Sequence, residues 1–202
     1  MWKISLILVP LLAGCVAINV PGAGTPDGLD TSGRGAPAPL VYAAAGTEIA
    51  LQNIVDGQTT QTRITVSKPA GLRGAFARPD GTVGAVYPGC WGCGGSVQIE
   101  EALYGALWPL ETGKQVTFLR TALDGTKARA VIRVAGIETI RTEAGTYRTY
   151  RLDGQINALT GPAYQASVRA WWAPDPGWVV RAEGSDSSGR RLTSVVTEIK
   201  AP

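Results

Sequence analysis

Residues 127–134 read KARAVIRV, and residues 164–172 read YQASVRAWW. In both stretches small or apolar side chains share one face of an extended chain, while mostly charged or polar side chains share the other. Trp171 is an exception, because it falls on the polar face of its stretch. A period of two over this length is typical of antiparallel strands that bury one face, so the two stretches predict a β-protein.

Turn signals separate further stretches of this kind. Asp-Gly occurs at residues 56–57, 80–81, 124–125 and 153–154, and Ser188-Gly189 takes the same place between the last two stretches. A type I′ hairpin turn requires positive φ at both central residues, and Asp-Gly is one of the few pairs that adopts this conformation at low cost. Each of these pairs is therefore predicted to connect two antiparallel strands.

The segments between these turns define the predicted architecture. Gly136 is predicted to form a bulge or bend that splits one long strand, and residues 97–106 have apolar spacing that favours one helical turn. Because hairpins follow one another, we expect an all-β antiparallel meander that forms a curved sheet, a half-barrel or a sandwich, with at most one short helix near 97–106. The predicted strands lie near 47–55, 60–68, 71–78, 82–87, 115–123, 127–135, 137–142, 146–153, 155–159, 164–172, 178–184 and 190–199.

The N-terminal hydrophobic run follows Lys3 and ends in Leu12-Ala13-Gly14-Cys15. It is too short for a permanent membrane-spanning helix and suits the apolar region of a signal peptide. The tetrapeptide resembles the lipobox of bacterial lipoproteins; an ordinary signal peptide or a short anchor is the alternative. The resemblance implies that residues 1–14 are a signal peptide. It also implies that Cys15 becomes the lipidated N-terminus, with a diacylglyceryl group on sulfur and an acyl chain such as palmitate on nitrogen.

Two further expectations follow from the lipobox resemblance. Val16 stands where lipoproteins retained in the inner membrane often carry Asp, so we expect an anchor in the outer membrane that faces the periplasm. Residues 15–40 are rich in Gly and Pro and contain few large apolar side chains, so we expect a flexible tether. A loop packed across the domain is the alternative. Residues 41–202 are predicted to form a single β-rich domain.

The C-terminal half carries a second resemblance, in residues 107–119 (LWPLETGKQVTFL), 137–147 (IETIRTEAGTY) and 171–180 (WWAPDPGWVV). In this order the three motifs resemble a pattern of uncharacterised bacterial periplasmic domains and lipoproteins, in which Tyr usually stands at the position of Trp172. The resemblance implies a β-rich periplasmic module and brings no catalytic residues. Some such domains are thought to be related to open-barrel lipoprotein carriers of acyl chains.

Cys90 and Cys93 lie in the glycine-rich segment GCWGCGG at residues 89–95. Outside the cytoplasm such a pair is expected to form a disulfide, here one that shapes the loop carrying Trp91. A thioredoxin-like redox centre is the alternative, although no βαβ pattern surrounds the pair. A zinc site would need more ligands than the chain offers, since it contains no His, and a haem attachment would need His at position 94.

Catalysis is not expected. Without His, neither Ser-His-Asp nor Cys-His chemistry is available, and the spacing of the carboxylates singles out no glycosidase-like pair. The net charge of +3 includes no basic cluster, so nucleic-acid binding is not expected either. We expect no cofactor and no metal.

The remaining function is a non-catalytic binding or structural role in the cell envelope. Its partner is expected to be the membrane, through the lipid, together with an envelope protein, a glycan or a lipid ligand. Trp91, Trp108 and Trp171 are the candidate ligand-binding residues, whereas Trp172 and Trp178 are expected in the core. A peptidoglycan or glycan binder would need Trp91 and Trp171 exposed on one groove. A carrier of an apolar acyl ligand would need an enclosed cavity between the sheet and residues 97–106.

Overall fold

The computed structural model of the protein describes residues 26–32, 35–95 and 97–202. Within these residues the fold is all-β, with antiparallel strands in one open curved sheet and a single short helix, as the sequence predicts. The helix α1 spans Glu101–Gly105. The strands are β1 (Pro26–Asp30), β2 (Glu48–Val55), β3 (Gln58–Ala70), β4 (Arg73–Ala77), β5 (Val83–Val86), β6 (Gln98–Ile99), β7 (Gln115–Thr121), β8 (Lys127–Thr142), β9 (Gly145–Ala158), β10 (Gln165–Ala173), β11 (Trp178–Asp186) and β12 (Arg191–Lys200).

Two runs of hairpins make up the sheet. Strands β2 to β5 form one run and β6 to β12 form the other, which confirms the meander within each run. The two runs are joined because β2 pairs with β12, from Val55 opposite Leu192 to Glu48 opposite Lys200. Strands β5 and β6 therefore lie at the two ends of the strand order, although they follow each other in the chain.

Four of the five predicted pairs connect antiparallel strands, but in the described chain only Asp56-Gly57 has the predicted type I′ conformation, since Asp80, Asp124 and Ser188 do not have positive φ. Asp56 and Gly57 have φ of 50° and 84°, the two positive values that a type I′ turn requires. Asp153-Gly154 is the exception: the prediction of a hairpin there is wrong, since both residues lie inside β9. At Gly154 a Cβ would collide with the carbonyl oxygen of Gly89, so glycine is needed here for the close approach of a loop rather than for a turn.

Strand β8 contains a bulge at the predicted position. Its pairing with β9 shifts register between Val134 and Gly136, but the strand continues, so Gly136 does not split it. The shift changes the alternation of side chains, and Val134 and Ile137, three residues apart, both pack into the same core cluster. A Cβ at Gly136 would lie 2.5 Å from the carbonyl oxygen of Asp30, because β1 runs close to this point.

Strand β1 corrects part of the tether prediction. Strand β8 has 16 residues and its neighbour β7 has 7, so β7 pairs only with the first half of β8. Strand β1 pairs with the second half, from Ile137 to Ile140, and satisfies backbone groups that β7 leaves open. Because main-chain pairing requires no large side chains, composition did not reveal it. Cys15 and the rest of the predicted signal peptide lie outside the described residues.

A second contact also belongs to the predicted tether. The backbone N–H of Ala38 donates to the carbonyl of Leu110 (3.1 Å), and Leu110 donates back to Ala38 (2.8 Å). The hydroxyl of Tyr150 donates to the carbonyl of Ala36. Residues 36–38 are thus packed against the sheet domain, as in the alternative interpretation of this segment.

Buried side chains form two clusters, one on each face of the longest strands. The first contains Trp172 with inward-facing residues of β7 to β10 and the segment that carries α1. The second contains Trp171 with Ile49, Ile140 and Val196. Adjacent tryptophans therefore enter different clusters, and the β10–β11 pairing shifts register between them. Both faces of the sheet are covered here. This explains why the indole of Trp171 is buried although it lies on the polar face of β10.

Candidate functional site

A cavity of about 440 Å³ opens between strands β2 to β5 and strands β10 to β12. Its volume is in the range of small-molecule sites, about 300–1,000 Å³. One wall is the loop of residues 87–92, which connects β5 to the segment before β6. Apolar side chains provide most of the rest, including Leu51, Ile64, Phe76, Val168, Trp178 and Leu192.

The loop wall is held in place by the predicted disulfide. Cys90 and Cys93 are bonded, with their Cα atoms 5.5 Å apart, and Cys93 is buried. Gly89 has φ of 78°, and a Cβ there would lie only 3.0 Å from Leu152 and 3.1 Å from Ile132 on the sheet. Glycine therefore allows the loop both its backbone conformation and its close contact with the sheet.

Trp91 is fixed at this wall rather than free in solvent. Its ring lies over Gly184 of β11, where any Cβ would collide with the indole. Its carbonyl accepts a hydrogen bond of 2.8 Å from Nη1 of Arg120. The indole is half-buried and lines the cavity, so Trp91 is the one predicted binding residue that the structure places there.

The other two candidate tryptophans do not share a groove with Trp91. Trp171 is 1 % exposed and its Nε1 donates to Oε2 of Glu138 at 2.7 Å, so the prediction of an exposed binding residue is wrong. Trp108 is half-buried with its ring edge-to-face on Trp172, the centroids 5.4 Å apart. Trp172 lies in the core as expected, whereas Trp178 is buried and also lines the cavity.

The space between the sheet and residues 97–106 is filled. Tyr104 of α1 and Leu107 are fully buried there. The Tyr104 ring packs edge-to-face on Tyr87 (5.2 Å) and on Phe118 (5.6 Å). These side chains occupy the place where the carrier hypothesis required an enclosed cavity, and none of residues 97–106 lines the cavity described above.

Burial alters the acidity of three tyrosines, of which Tyr87 lines the cavity. The pKa of Tyr87 is raised to about 12, first by desolvation and then by its 2.7 Å hydrogen bond to Oε1 of Glu101. Desolvation also raises the pKa values of Tyr42 and Tyr104. All three phenols are neutral hydrogen-bond donors at neutral pH, and none is prepared for proton abstraction.

The carboxylates of Glu138 and Glu100 are engaged by a cation and by a backbone group. The carboxylate of Glu138 accepts from Arg151 at 2.9 Å, and Arg151 also lies 3.1 Å from Asp153. Glu100 accepts the backbone N–H of Leu119 at 2.7 Å. Among residues 26–32, 35–95 and 97–202, no cluster of three or more metal-binding side chains is found.

Comparison with known proteins finds similar solved structures of low sequence identity. No protein-family model and no curated protein matches the chain. An exported protein with a YmcC-like fold from Bacteroides fragilis is 17% identical, with a TM-score of 0.46 over 81% of this chain and 99% of its own. The hypothetical lipoprotein YmcC of Escherichia coli is 11% identical, with a TM-score of 0.48 over 77% and 85%. A protein of Parabacteroides distasonis described as a lipoprotein is 13% identical, with a TM-score of 0.48 over 82% and 100%.

These neighbours are described as exported proteins or lipoproteins, and nothing in their descriptions names a ligand. In the part of the chain that the structure describes, no helix has the length and apolar character needed to cross a membrane.

The two charged residues of the cavity wall were among the lining residues that the sequence did not indicate. Arg78 and Arg190 lie in turns that the Asp-Gly and Ser-Gly signals located correctly, but nothing in those signals places the two turns beside one cavity. Their proximity to the cavity arises from the pairing of β2 with β12, which joins residues far apart in the chain.

Proposed function

We propose that this protein is a lipid-anchored component of the bacterial cell envelope whose β-domain binds an apolar ligand without transforming it. In this proposal Cys15 carries the lipid and anchors the domain in the outer membrane, facing the periplasm. The lipobox-like tetrapeptide supports the anchor. The absence of His from the chain and the engaged carboxylates of the sheet support a role other than catalysis.

The cavity beside the disulfide loop is the observation that carries the binding proposal. Leu51, Ile64 and Phe76 approach it from one run of hairpins, while Val168 and Leu192 approach it from the other. Apolar surface left in contact with water is unfavourable, and a ligand that covers it gains free energy in proportion to the area removed from water. The site therefore favours an apolar ligand segment over a sugar.

A glycan ligand has less support. Stacking on sugar rings needs exposed aromatic faces along one groove, and Trp171 is buried in the second cluster. A redox role also has less support, because Cys93 is buried and the loop that carries the pair is packed against the sheet.

Filling the cavity should weaken ligand binding. Ser194 of β12 lines the cavity, and its neighbour Thr193 points to the opposite face of the same strand. We expect Ser194→Trp to weaken binding of a neutral naphthylamine dye by at least about tenfold, since the indole would occupy the ligand volume. Dye fluorescence titrated against the mature chain measures the change.

Thr193→Trp is the matched control and should bind the dye as the unmodified protein does. The binding proposal fails if the unmodified protein does not bind the dye, or if the two variants bind it equally well. Circular dichroism of both variants shows whether the sheet is retained.

Loss of the thiol should release the protein from the membrane. We expect Cys15→Ala to abolish incorporation of labelled palmitate, because no other group at the N-terminus accepts the diacylglyceryl chain. Labelling of cells that express each form, followed by immunoprecipitation, measures this. Cys90→Ala with Cys93→Ala is the control and should keep the label; label retained in Cys15→Ala would disprove the anchor.

A further inference from the structure

We propose that the ligand is a single-chain amphiphile with an anionic head, and that Arg78 and Arg190 give the exposed rim of the cavity the positive charge that selects this head. This inference rests on the proposed function, because it names the chemical class of the ligand for the same cavity.

The two arginines approach the cavity from different runs of the sheet. Arg78 begins the turn between β4 and β5, and Arg190 ends the turn between β11 and β12. Both residues are exposed and both line the cavity, whereas Ile64 and Trp178 in the same lining are buried. The cationic groups therefore lie at the solvent side of a site whose interior is apolar.

The charge of the lining is of one sign. Among the described residues that form the cavity wall, Arg78 and Arg190 are the charged ones, and no Asp or Glu is included. Each arginine has a carboxylate nearby in its own turn, Asp80 and Asp186 respectively. Neither guanidinium lies within 4 Å of a carboxylate oxygen in the described part of the chain.

The two turn carboxylates are engaged by other donors. Oδ1 of Asp80 accepts from the backbone N–H of Thr82 (2.9 Å) and from its hydroxyl (2.7 Å). Oδ1 of Asp186 accepts from the backbone N–H of Ser188 at 2.9 Å. Side-chain hydrogen bonds from Thr82 and Ser188, and then the nearby charges of Arg78 and Arg190, lower the pKa values of Asp80 and Asp186. Each guanidinium thus interacts with its turn carboxylate without forming an ion pair, which leaves N–H donors for an external anion.

The position of Arg78 connects the polar rim to the apolar interior. Its guanidinium carbon lies 5.3 Å from the centroid of the Phe76 ring, and Nη1 donates to Oγ1 of Thr82 at 3.3 Å. Phe76 itself lines the cavity. Arginine binds carboxylate and phosphate groups through two parallel hydrogen bonds, so an acyl chain inside the cavity would place an anionic head at these donors.

Four ligands with the same twelve-carbon chain test the inference. Laurate and dodecyl phosphate carry anionic heads, dodecanol is neutral, and dodecyltrimethylammonium is cationic. Each competes with the naphthylamine dye for the mature chain carrying Cys15→Ser, a change that removes the lipid and no described residue. We expect the two anionic ligands to displace the dye at concentrations at least about tenfold lower than dodecanol, with the cationic ligand weakest.

Charge-removal variants identify the residues responsible. Arg78→Gln with Arg190→Gln should eliminate the preference for anionic heads, so that laurate, dodecyl phosphate and dodecanol displace the dye at similar concentrations. Arg129→Gln with Arg133→Gln removes the same charge from the exposed face of β8 and should preserve the preference. A difference between laurate and dodecyl phosphate identifies the preferred head.

The possible failures are distinguishable. If all four ligands compete equally, or if the Arg78 and Arg190 variant keeps its preference, the head-group inference is overturned and the apolar binding site remains. If neither the dye nor any of the four ligands binds, the proposed function itself is overturned.

Discussion

Replacing Trp172 with alanine is expected to lower the free energy of unfolding by about 3–5 kcal/mol. Trp172 is 0 % exposed and packs edge-to-face against Tyr42 and Trp108, with both centroid distances 5.4 Å. Removal of the indole would leave a large void at the centre of the first core cluster, and the long paired strands around it cannot collapse fully. Urea denaturation followed by circular dichroism measures the change as a lower midpoint.

Two other substitutions define the expected range. Leu123→Ala removes a side chain that is 83% exposed in the β7–β8 turn, so stability should change by less than about 0.5 kcal/mol. Trp172→Phe keeps an aromatic ring in the core and removes an indole N–H that has no partner among the described residues, so its cost should be smaller than that of alanine. A loss below about 1 kcal/mol for Trp172→Ala would contradict the packing described here.

Glu138→Ala is expected to have a comparable effect, about 3–5 kcal/mol. Glu138 is 3 % exposed and accepts hydrogen bonds from Nη1 of Arg151 and Nε1 of Trp171. Without the carboxylate, a largely buried guanidinium loses one of its two counter-ions and a buried indole N–H loses its acceptor. Guanidinium chloride denaturation is unsuitable for a charge variant, so urea is the denaturant of choice.

Glu198 supplies the matched control for this variant. Its 3.0 Å ion pair with Arg63 has the same kind of geometry but lies at the surface. Glu198→Ala should therefore change stability far less than Glu138→Ala does. Similar losses for the two variants would show that burial of Glu138 is not what makes its ion pair important. Glu138→Gln should be intermediate, because the amide oxygen still accepts from Trp171.

The alternation of side chains predicted strand positions well and side-chain environments less well. In β8 the buried residues Ala128, Ala130, Ile132 and Val134 are the ones that a period of two selects. In β10 the same reasoning placed Trp171 on the polar face of the strand and made it a candidate for an exposed binding residue. It failed there because the second cluster covers the outer face of the strand, and a local period carries no information about a second covered face.

Long-range pairings account for the other differences. The β2–β12 ladder joins residues more than a hundred positions apart, and β1 pairs with β8 only because β7 is shorter than its partner. Neither of these strand pairings leaves a local pattern in the sequence. Gly154 was assigned to a turn for the same reason, since the loop that approaches it comes from Gly89, far away in the chain.

The candidate site was predicted in part. The sequence indicated that Cys90 and Cys93 would form a disulfide that presents Trp91, and the structure confirms the bond and places Trp91 at the cavity wall. The cavity itself could not be predicted, because its lining comes from both runs of hairpins. Tyr104 and Leu107 fill the place where a cavity was expected, since apolar helical spacing marks a buried face without showing how tightly that face packs.

Strand β1 shows at which end of the sheet the described chain begins. It runs antiparallel to β8, so Pro26 lies beside Ile140, near the β8–β9 turn. Lys127 lies at the opposite end of β8, about 40 Å of strand away from Ile140. The turns at this end of the sheet include the β11–β12 turn, which ends at Arg190. Strand β1 therefore places the start of the described chain at the end of the sheet opposite Arg190, so the ends of β8 distinguish the side where the chain joins the sheet from the side that carries this arginine.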